Sequence, residues 1–161
     1  MKIKCGLIVS DFDGTLLTTR QTVPEDVRRS IDDYVAAGGI FAVCTGRMLA
    51  SILPQVRPLG LKGLVAAYQG TVIADIESGR IIRNGGFKLE EAVEICKTLE
   101  SHGEAINAYA DDVMYTTLPP ENKMLQMYES ITGVTARHIS GAMSDYVREH
   151  ALYCQKIVSV V

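Results

Sequence analysis

Short apolar runs alternate with amphipathic segments in the first half of the chain. The runs from Cys5 to Ser10, Ile40 to Cys44 and Leu64 to Tyr68 are typical of strands buried on both faces of a parallel sheet. Helical periodicity separates them, first at Val27, Ile31, Tyr34 and Val35 after Pro24, and then at Leu49, Ile52, Leu53 and Val56. Strand, helix, strand, helix, strand predicts an α/β unit with right-handed crossovers, followed by a hairpin over 71–83.

The second half of the chain has a different pattern. Helices are predicted around 89–99 and 125–131, a weaker one over 142–150, a hairpin over 105–117 and a final strand over 157–161. This order is typical of an α+β unit. Charge divides the chain in the same way, since residues 1–83 carry a net +2 and residues 84–161 carry −5. The turn Asn84-Gly85-Gly86 marks the predicted boundary, giving domains 1–83 and 84–161.

Composition excludes several classes of protein. With 161 residues, 47% of them hydrophobic and a net charge of −3, the chain is not disordered and shows no basic patch for nucleic acid. No apolar run approaches the roughly 18 residues of a membrane span, and the N-terminus has no signal-peptide pattern. The four cysteines are scattered without a C-x-x-C pair, which predicts reduced thiols and a cytoplasmic protein.

Candidate chemistry is concentrated in the string from Asp11 to Leu17, directly after the first predicted strand. Ligands of open parallel sheets bind at the carboxyl ends of strands, where Asp11 and Asp13 are expected to lie. Paired carboxylates can hold Mg²⁺, or act as nucleophile and general acid, while Gly14 permits a tight turn. The alternatives are an acidic turn that only bonds backbone N–H groups and a calcium loop, which Leu16 and Leu17 contradict.

The string from Asp11 to Leu17 resembles the first motif of the haloacid dehalogenase-like (HAD) phosphohydrolases. Thr45-Gly46-Arg47, which begins 34 positions after Asp11, resembles the second motif of their Cof-type branch, subfamily IIB. Tyr68-Gln69-Gly70 resembles the branch's Asn-Gly turn, with Gln69 as a departure. The resemblance implies that 1–83 is the N-terminal part of a Rossmann-like HAD core with a parallel sheet. Residues 84–161 would be part of an α+β cap domain that selects substrates.

The resemblance also implies roles for individual residues. Asp11 would attack the phosphorus and form an aspartyl-phosphate, and Asp13 would protonate the leaving oxygen and later activate water. Mg²⁺ would be held by the Asp11 carboxylate and the Asp13 backbone carbonyl. Thr45, with the N–H groups of Gly46 and Gly14, would bind the phosphoryl group.

Other parts of the family pattern are not matched. Arg47 is given only a supporting role. The family also uses a lysine and a late Gly-Asp-x-x-Asn-Asp type motif, and nothing after Thr45 matches the acidic motif. Lys156 is a candidate lysine, although a solvated lysine on a strand edge is the favoured interpretation. We therefore expect these 161 residues to be a fragment of a longer enzyme.

A physical argument supports the same expectation. Crossovers that run one way across the sheet leave one edge of the first strand unpaired, and folds normally avoid a bare apolar edge. The edge would be covered by later strands of a longer chain, by a second chain in a homodimer, or by Ile157 to Val161 folding back.

Three hypotheses for function follow. The leading one is a Mg²⁺-dependent phosphatase of small phosphorylated metabolites. The others are a phosphomutase or protein phosphatase, and a non-catalytic phosphate-binding or interaction module.

Overall fold

The chain folds into two compact units, residues 1–84 and 85–161. The fold is a computed structural model that describes residues 4–18 and 22–160. Asn84, predicted to begin the turn between the units, is instead the last residue of a strand. Each unit has its own sheet, which confirms the prediction of an α/β part followed by an α+β part.

The first unit contains a five-stranded sheet in the order β1-β2-β3-β4-β5. Its strands are β1 (Leu7–Asp11), β2 (Ile40–Cys44), β3 (Leu64–Ala67), β4 (Val72–Asp75) and β5 (Ile81–Asn84). The first three are parallel, and β4 and β5 add antiparallel neighbours, as the sequence pattern predicts. The crossover helices are α1 (Glu25–Ala36) and α2 (Leu49–Val56), which contains Pro54. Because both crossovers run in one direction, right-handed connections place both helices on one face of the sheet.

The strand β1 is not buried on both faces, so that prediction is wrong. Leu7, Ile8 and Val9 expose 50%, 41% and 54% of their surface, and Ile40 beside Leu7 exposes 51%. Among the described residues β1 pairs with β2 alone, which makes it an edge strand. Leu7 and Val9 alternate with Ile8 and therefore point away from the face on which α1 packs. The short apolar run predicted the strand correctly but gave no information on whether a layer covers it.

The second unit is built around a four-stranded sheet in the order β8-β7-β6-β9. Its strands are β6 (Ala105–Ala110), β7 (Val113–Thr116), β8 (Arg137–His138) and β9 (Cys154–Val160). Its helices are α3 (Leu89–Ser101), α4 (Lys123–Thr132) and α5 (Met143–Glu149). A core that includes Val93, Cys96, Ile106, Met143 and Val147 joins α3 and α5 to the sheet.

The last strand does not cover β1. Cys154–Val160 pairs antiparallel with β6 inside the second unit, so the alternative in which 157–161 folds back onto the first strand is wrong. Val161 lies outside the described residues. Five successive backbone pairings from Ala105 to Tyr109 hold β9 in this register beside β6.

Two methionines of the second unit lie on its surface. Tyr109, Met114 and Tyr115 are buried in the same unit. Met124 and Met127 on α4 instead expose 69% and 58% of their surface. The helix turns Leu125 and Thr132 inward, and Met127, two residues after Leu125, points to the opposite side of the helix.

Candidate active site

The loop after β1 is anchored by its apolar residues. Phe12 is fully buried, and Leu16 and Leu17 are almost so. The N–H of Leu16 donates to the carbonyl of Asp11 at 3.2 Å, and that of Leu17 to the carbonyl of Phe12 at 2.9 Å. Asp11 and Asp13 alternate with the buried Phe12, and both are exposed. The apolar residues of the motif thus hold a turn that presents its two carboxylates to solvent.

Asp11 lies at the carboxyl end of β1, opposite Cys44 at the end of β2. The hydroxyl of Thr15 donates to its Oδ2 at 3.0 Å. The other carboxylate oxygen has no contact of this kind among the residues that the structure describes. Asp11 therefore has an oxygen available at the edge of the sheet where ligands of such folds bind.

Thr45 brings the second motif to the first. Its N–H donates to the carbonyl of Ala66 at 3.0 Å, which ties the loop after β2 to β3. The Thr45 side chain is buried, and its Oγ1 lies 3.5 Å from Oδ2 of Asp13. The same Oγ1 accepts the N–H of Arg47 at 3.2 Å. Thr45 and Asp13 therefore meet near the edge of the sheet where Asp11 lies, and the roles assigned to these three residues stay predictions.

Arg47 makes a two-pronged contact with Asp13. Its Nε donates to Oδ2 at 2.9 Å and its Nη2 to Oδ1 at 2.7 Å. The Arg47 side chain is only 13% exposed, whereas that of Asp13 is 47% exposed. The guanidinium lies 5.9 Å from the centre of the Phe12 ring, and its Nη1 is buried without a hydrogen-bond partner among the described residues. Sequence reasoning assigned Arg47 a supporting role and did not foresee this pairing.

A third turn, after β3, also joins the site. The N–H of Tyr68 donates to the carbonyl of Arg47 at 2.9 Å, and that of Gln69 to the carbonyl of Thr45 at 2.8 Å. The Gln69 side chain lies over Gly46, because a Cβ built on Gly46 would be 3.7 Å from its Nε2. In the sequence this turn stood out only as a departure from the family pattern.

The metal-ligating capacity of the site is partial. No cluster of three or more His, Cys, Asp or Glu side chains that could hold a metal ion occurs in residues 4–18 and 22–160. The Asp11 carboxylate and the Asp13 backbone carbonyl are hard oxygen donors of the kind that Mg²⁺ prefers. These two donors fit the chemistry of Mg²⁺ but supply only part of a ligand set.

Lys156 belongs to the second unit and is not a solvated lysine, so that interpretation is wrong. Its ammonium lies 5.4 Å from the centre of the Tyr109 ring, and the side chain is half-buried in β9. Burial lowers the pKa of Lys156, because the charged form loses hydration.

The three histidines are exposed. His102 and His150 bond carbonyls of their own helices, and His138 bonds the carbonyl of Leu118.

No described helix is long and apolar enough to cross a membrane.

Comparison with known proteins agrees with the two motifs. A model of the family described as haloacid dehalogenase-like hydrolase matches residues 8–148. The chain belongs to the haloacid dehalogenase-like hydrolase family. Phosphatase YwpJ of Bacillus subtilis is 30% identical over 116 residues, a match that covers 72% of this chain and 39% of that HAD protein.

Solved structures have the same fold. The crystal structure of TM0651 from Thermotoga maritima matches with a TM-score of 0.72 and 25% identity, covering 98% of this chain and 57% of that one. The subclass IIB sugar phosphatase BT4131 matches with a TM-score of 0.69 and 18% identity, covering 91% and 55%. The chain spans about half the length of the proteins that it matches.

Proposed function

We propose that this chain carries the nucleophile, the general acid and the phosphoryl-binding loop of a phosphatase that acts on small phosphorylated metabolites. The observation that carries the proposal is the convergence of Asp11, Asp13 and Thr45 at the carboxyl ends of two adjoining parallel strands. Membership of the HAD family and the names of its curated relatives support the same reaction class.

The proposed reaction has two steps. An oxygen of the Asp11 carboxylate attacks phosphorus, and the bond to the leaving oxygen breaks as Asp13 delivers a proton to it. Asp13 then takes a proton from water as the water oxygen attacks the phosphorus of the aspartyl-phosphate. The bond between phosphorus and the Asp11 oxygen breaks, which releases inorganic phosphate and regenerates the Asp11 carboxylate. The Thr45 hydroxyl and the N–H groups of Gly46 and Gly14 donate to the phosphoryl oxygens, where negative charge is concentrated.

Arg47 fixes the acid in this scheme. Both carboxylate oxygens of Asp13 accept hydrogen bonds from its guanidinium, which limits the carboxylate to one orientation. Delivery of a proton to the leaving group requires that one of these two contacts be exchanged. Arg47 thus acts through Asp13, as a residue that positions the acid.

Mg²⁺ is proposed as the cofactor, held by the Asp11 carboxylate and the Asp13 backbone carbonyl. When bound, the ion offsets the negative charge that would otherwise repel the phosphoryl group from Asp11. The remaining ligands would be water and groups outside the described residues, since Mg²⁺ keeps several waters in most protein sites.

The second unit is proposed to be part of a cap domain that selects the substrate, and the 161 residues to be part of a longer enzyme. One support is the match to YwpJ, of which the chain spans 39%. The other is that the related enzymes use a lysine and a late acidic motif in addition to the two motifs found here. The sequence after Thr45 holds no match to that acidic motif. We further propose a cytoplasmic location, in agreement with four cysteines that are all free thiols.

The open edge of β1 is proposed to be covered in the working enzyme. Later strands of a longer chain would extend the same sheet, and a second copy of this chain could pair with the same backbone groups. Support comes from Leu7, Ile8 and Val9, three apolar residues on an edge strand that each expose at least two fifths of their surface.

Hydrolysis of p-nitrophenyl phosphate with and without Mg²⁺ tests the proposed function. We expect the 161-residue chain to turn over little substrate, and a polypeptide that also carries the later motifs to be active. The Asp11→Asn variant of the active form should lose the Mg²⁺-dependent rate. Full-length protein that binds phosphate without hydrolysing it would favour a non-catalytic binding module, and transfer of the phosphoryl group to a second sugar hydroxyl would favour a phosphomutase.

A further inference from the structure

The turn after β3 has an unusual backbone that the proposed mechanism does not use. Tyr68, Gln69 and Gly70 have φ angles of 50°, 58° and 95°, all in the left-handed region. Glycine adopts this region readily, whereas a bulky residue such as Tyr68 is a genuine outlier there. Two non-glycine residues in succession persist only where surrounding contacts hold them, and such positions cluster at ligand-binding sites.

The contacts that hold this turn come from the phosphoryl-binding loop. The N–H of Tyr68 and the N–H of Gln69 donate to the carbonyls of Arg47 and Thr45 at 2.9 and 2.8 Å. The Tyr68 side chain is 4% exposed and anchors the turn in the unit. Gln69 is therefore fixed relative to Thr45 by backbone bonds, and its side chain does not depend on a flexible loop for its position.

The Gln69 side chain is directed at the same loop. It is exposed, and it runs over Gly46, where a built Cβ would meet its Nε2 at 3.7 Å, its Cγ at 3.8 Å and its Cδ at 3.9 Å. Gly46 leaves this space open because it has no side chain. The amide of Gln69 makes no hydrogen bond to the described residues, so its two N–H donors are available to a ligand held at Gly46.

We propose that Gln69 is a phosphoryl-binding residue, whose side-chain amide donates to an oxygen of a phosphate monoester held at Thr45 and Gly46. The inference rests on the proposed function. The amide is neutral and adds a hydrogen bond to the dianion. An Asn at this position is shorter by one methylene and presents its amide differently over Gly46. Gln69 thus provides a contact that the Asn-Gly turn of the related branch does not supply in the same way.

Binding of inorganic phosphate to the 161-residue chain in the presence of Mg²⁺ tests the inference, with the dissociation constant measured by calorimetry. A hydrogen bond to a charged group implies that Gln69→Ala weakens binding by roughly tenfold. Gln69→Glu should weaken it at least as much, because it places a negative charge against the dianion. Gln126→Ala, a change of an exposed glutamine in the second unit, is the matched control and should bind as the parent does.

A fourth variant separates ligand binding from stability. Gln69→Gly removes the amide and relieves the positive φ, so it should lose phosphate affinity to the same extent as Gln69→Ala while its midpoint of thermal unfolding rises. The inference is overturned if Gln69→Ala and Gln69→Glu bind phosphate as the parent does while Thr45→Val loses binding, and in that case the proposed function stands. If the parent chain itself binds no phosphate, the proposed phosphoryl site fails, and the inference fails with it.

Discussion

Arg47 donates two hydrogen bonds to the carboxylate of Asp13, from Nε to Oδ2 at 2.9 Å and from Nη2 to Oδ1 at 2.7 Å. The residues are 34 positions apart, and the contact joins the loop after β1 to the loop after β2. The guanidinium of Arg47 is largely buried, whereas the carboxylate of Asp13 is half-exposed and faces solvent. This geometry fixes the orientation of the Asp13 carboxylate, and one of the two contacts must open before Asp13 can donate a proton.

Replacement of Arg47 should lower the rate of hydrolysis most for substrates with poor leaving groups. In a polypeptide that hydrolyses p-nitrophenyl phosphate, we expect Arg47→Ala to reduce kcat for an alkyl phosphate by about 10²-fold, the lower end of general acid catalysis. The rate with p-nitrophenyl phosphate should fall much less, because its leaving group needs little protonation. Comparison of kcat for the two substrates is the measurement.

Arg47→Lys is the control for charge in that experiment. Lysine keeps the positive charge but cannot make the two-pronged contact, so it should restore only part of the alkyl phosphatase rate. An equal loss with both substrates would mean that Arg47 stabilises the loop and does not orient the acid.

Thr45 should contribute to phosphoryl binding through its hydroxyl. Thr45→Val keeps the shape of a buried side chain but removes Oγ1, which also accepts the N–H of Arg47. We expect the dissociation constant for inorganic phosphate to rise by roughly tenfold, with a loss of about 1–2 kcal/mol in the free energy of unfolding from the unpaired N–H. Thr45→Ser keeps the hydroxyl and should retain most of the affinity. Unchanged affinity in Thr45→Val would remove this residue from the site.

The open edge of β1 should govern self-association of the 161-residue chain. Val9 exposes 54% of its surface on an edge strand that carries no charge between Cys5 and Ser10. We expect the parent chain to associate with rising concentration in sedimentation velocity, and Val9→Lys to suppress this, since charged residues protect strand edges.

The opposite edge of the same sheet provides the control. Ile82 on β5 is 51% exposed, but Arg80 precedes its strand and Arg83 lies within it. Ile82→Lys should leave the association unchanged. If this variant suppresses association as well as Val9→Lys does, the β1 edge has no special role.

The thiols of the second unit should be protected by the fold. Burial raises the pKa of Cys96 to about 12 and that of Cys154 to about 11. A disulfide exchange reagent at neutral pH should therefore modify the exposed Cys5 quickly, and should modify Cys96 and Cys154 only after unfolding. Rapid modification of all four thiols in the folded chain would contradict the buried core.

The same shifts set a pH dependence of stability. The folded state favours the neutral thiols. Their contribution to the free energy of unfolding is therefore complete below the thiol pKa of the unfolded chain, about 8.5, and is lost as pH rises toward the folded-state pKa values of about 11 and 12. The free energy of unfolding of the second unit should therefore decrease above about pH 9. Denaturant titration at several pH values measures this, and a constant value across that range would contradict the assignment.

The sequence pattern predicted the strand order around the site because each element leaves a local signal. The continuous apolar run from Ile40 to Cys44 forms a parallel strand whose three central residues are buried, and the polar residues after it form the loop that meets Asp13. The convergence of the two motifs follows from one βαβ unit, whose strands end at the same edge of a sheet. These features depend on neighbours in sequence or on one crossover.

Other features depend on layers and pairings that no local signal encodes. Val9 is exposed because no described element packs on its face of the sheet, and an apolar run has the same pattern with or without such a layer. The contact of Arg47 with Asp13 and the position of Gln69 over Gly46 arise from side chains that meet across two turns. Met127 lies at helical spacing like a core residue, but the rotation of its helix turns it outward.

The most direct test of the account is to trap the covalent intermediate. The active polypeptide is mixed with a phosphate monoester and Mg²⁺, quenched in acid and digested, and its peptides are analysed by mass spectrometry. We predict one added phosphoryl group on the peptide that contains Asp11, absent in the Asp11→Asn variant. Hydrolysis that proceeds with no phosphoryl group on this peptide, or with the group on another residue, would contradict the role of Asp11 as the nucleophile.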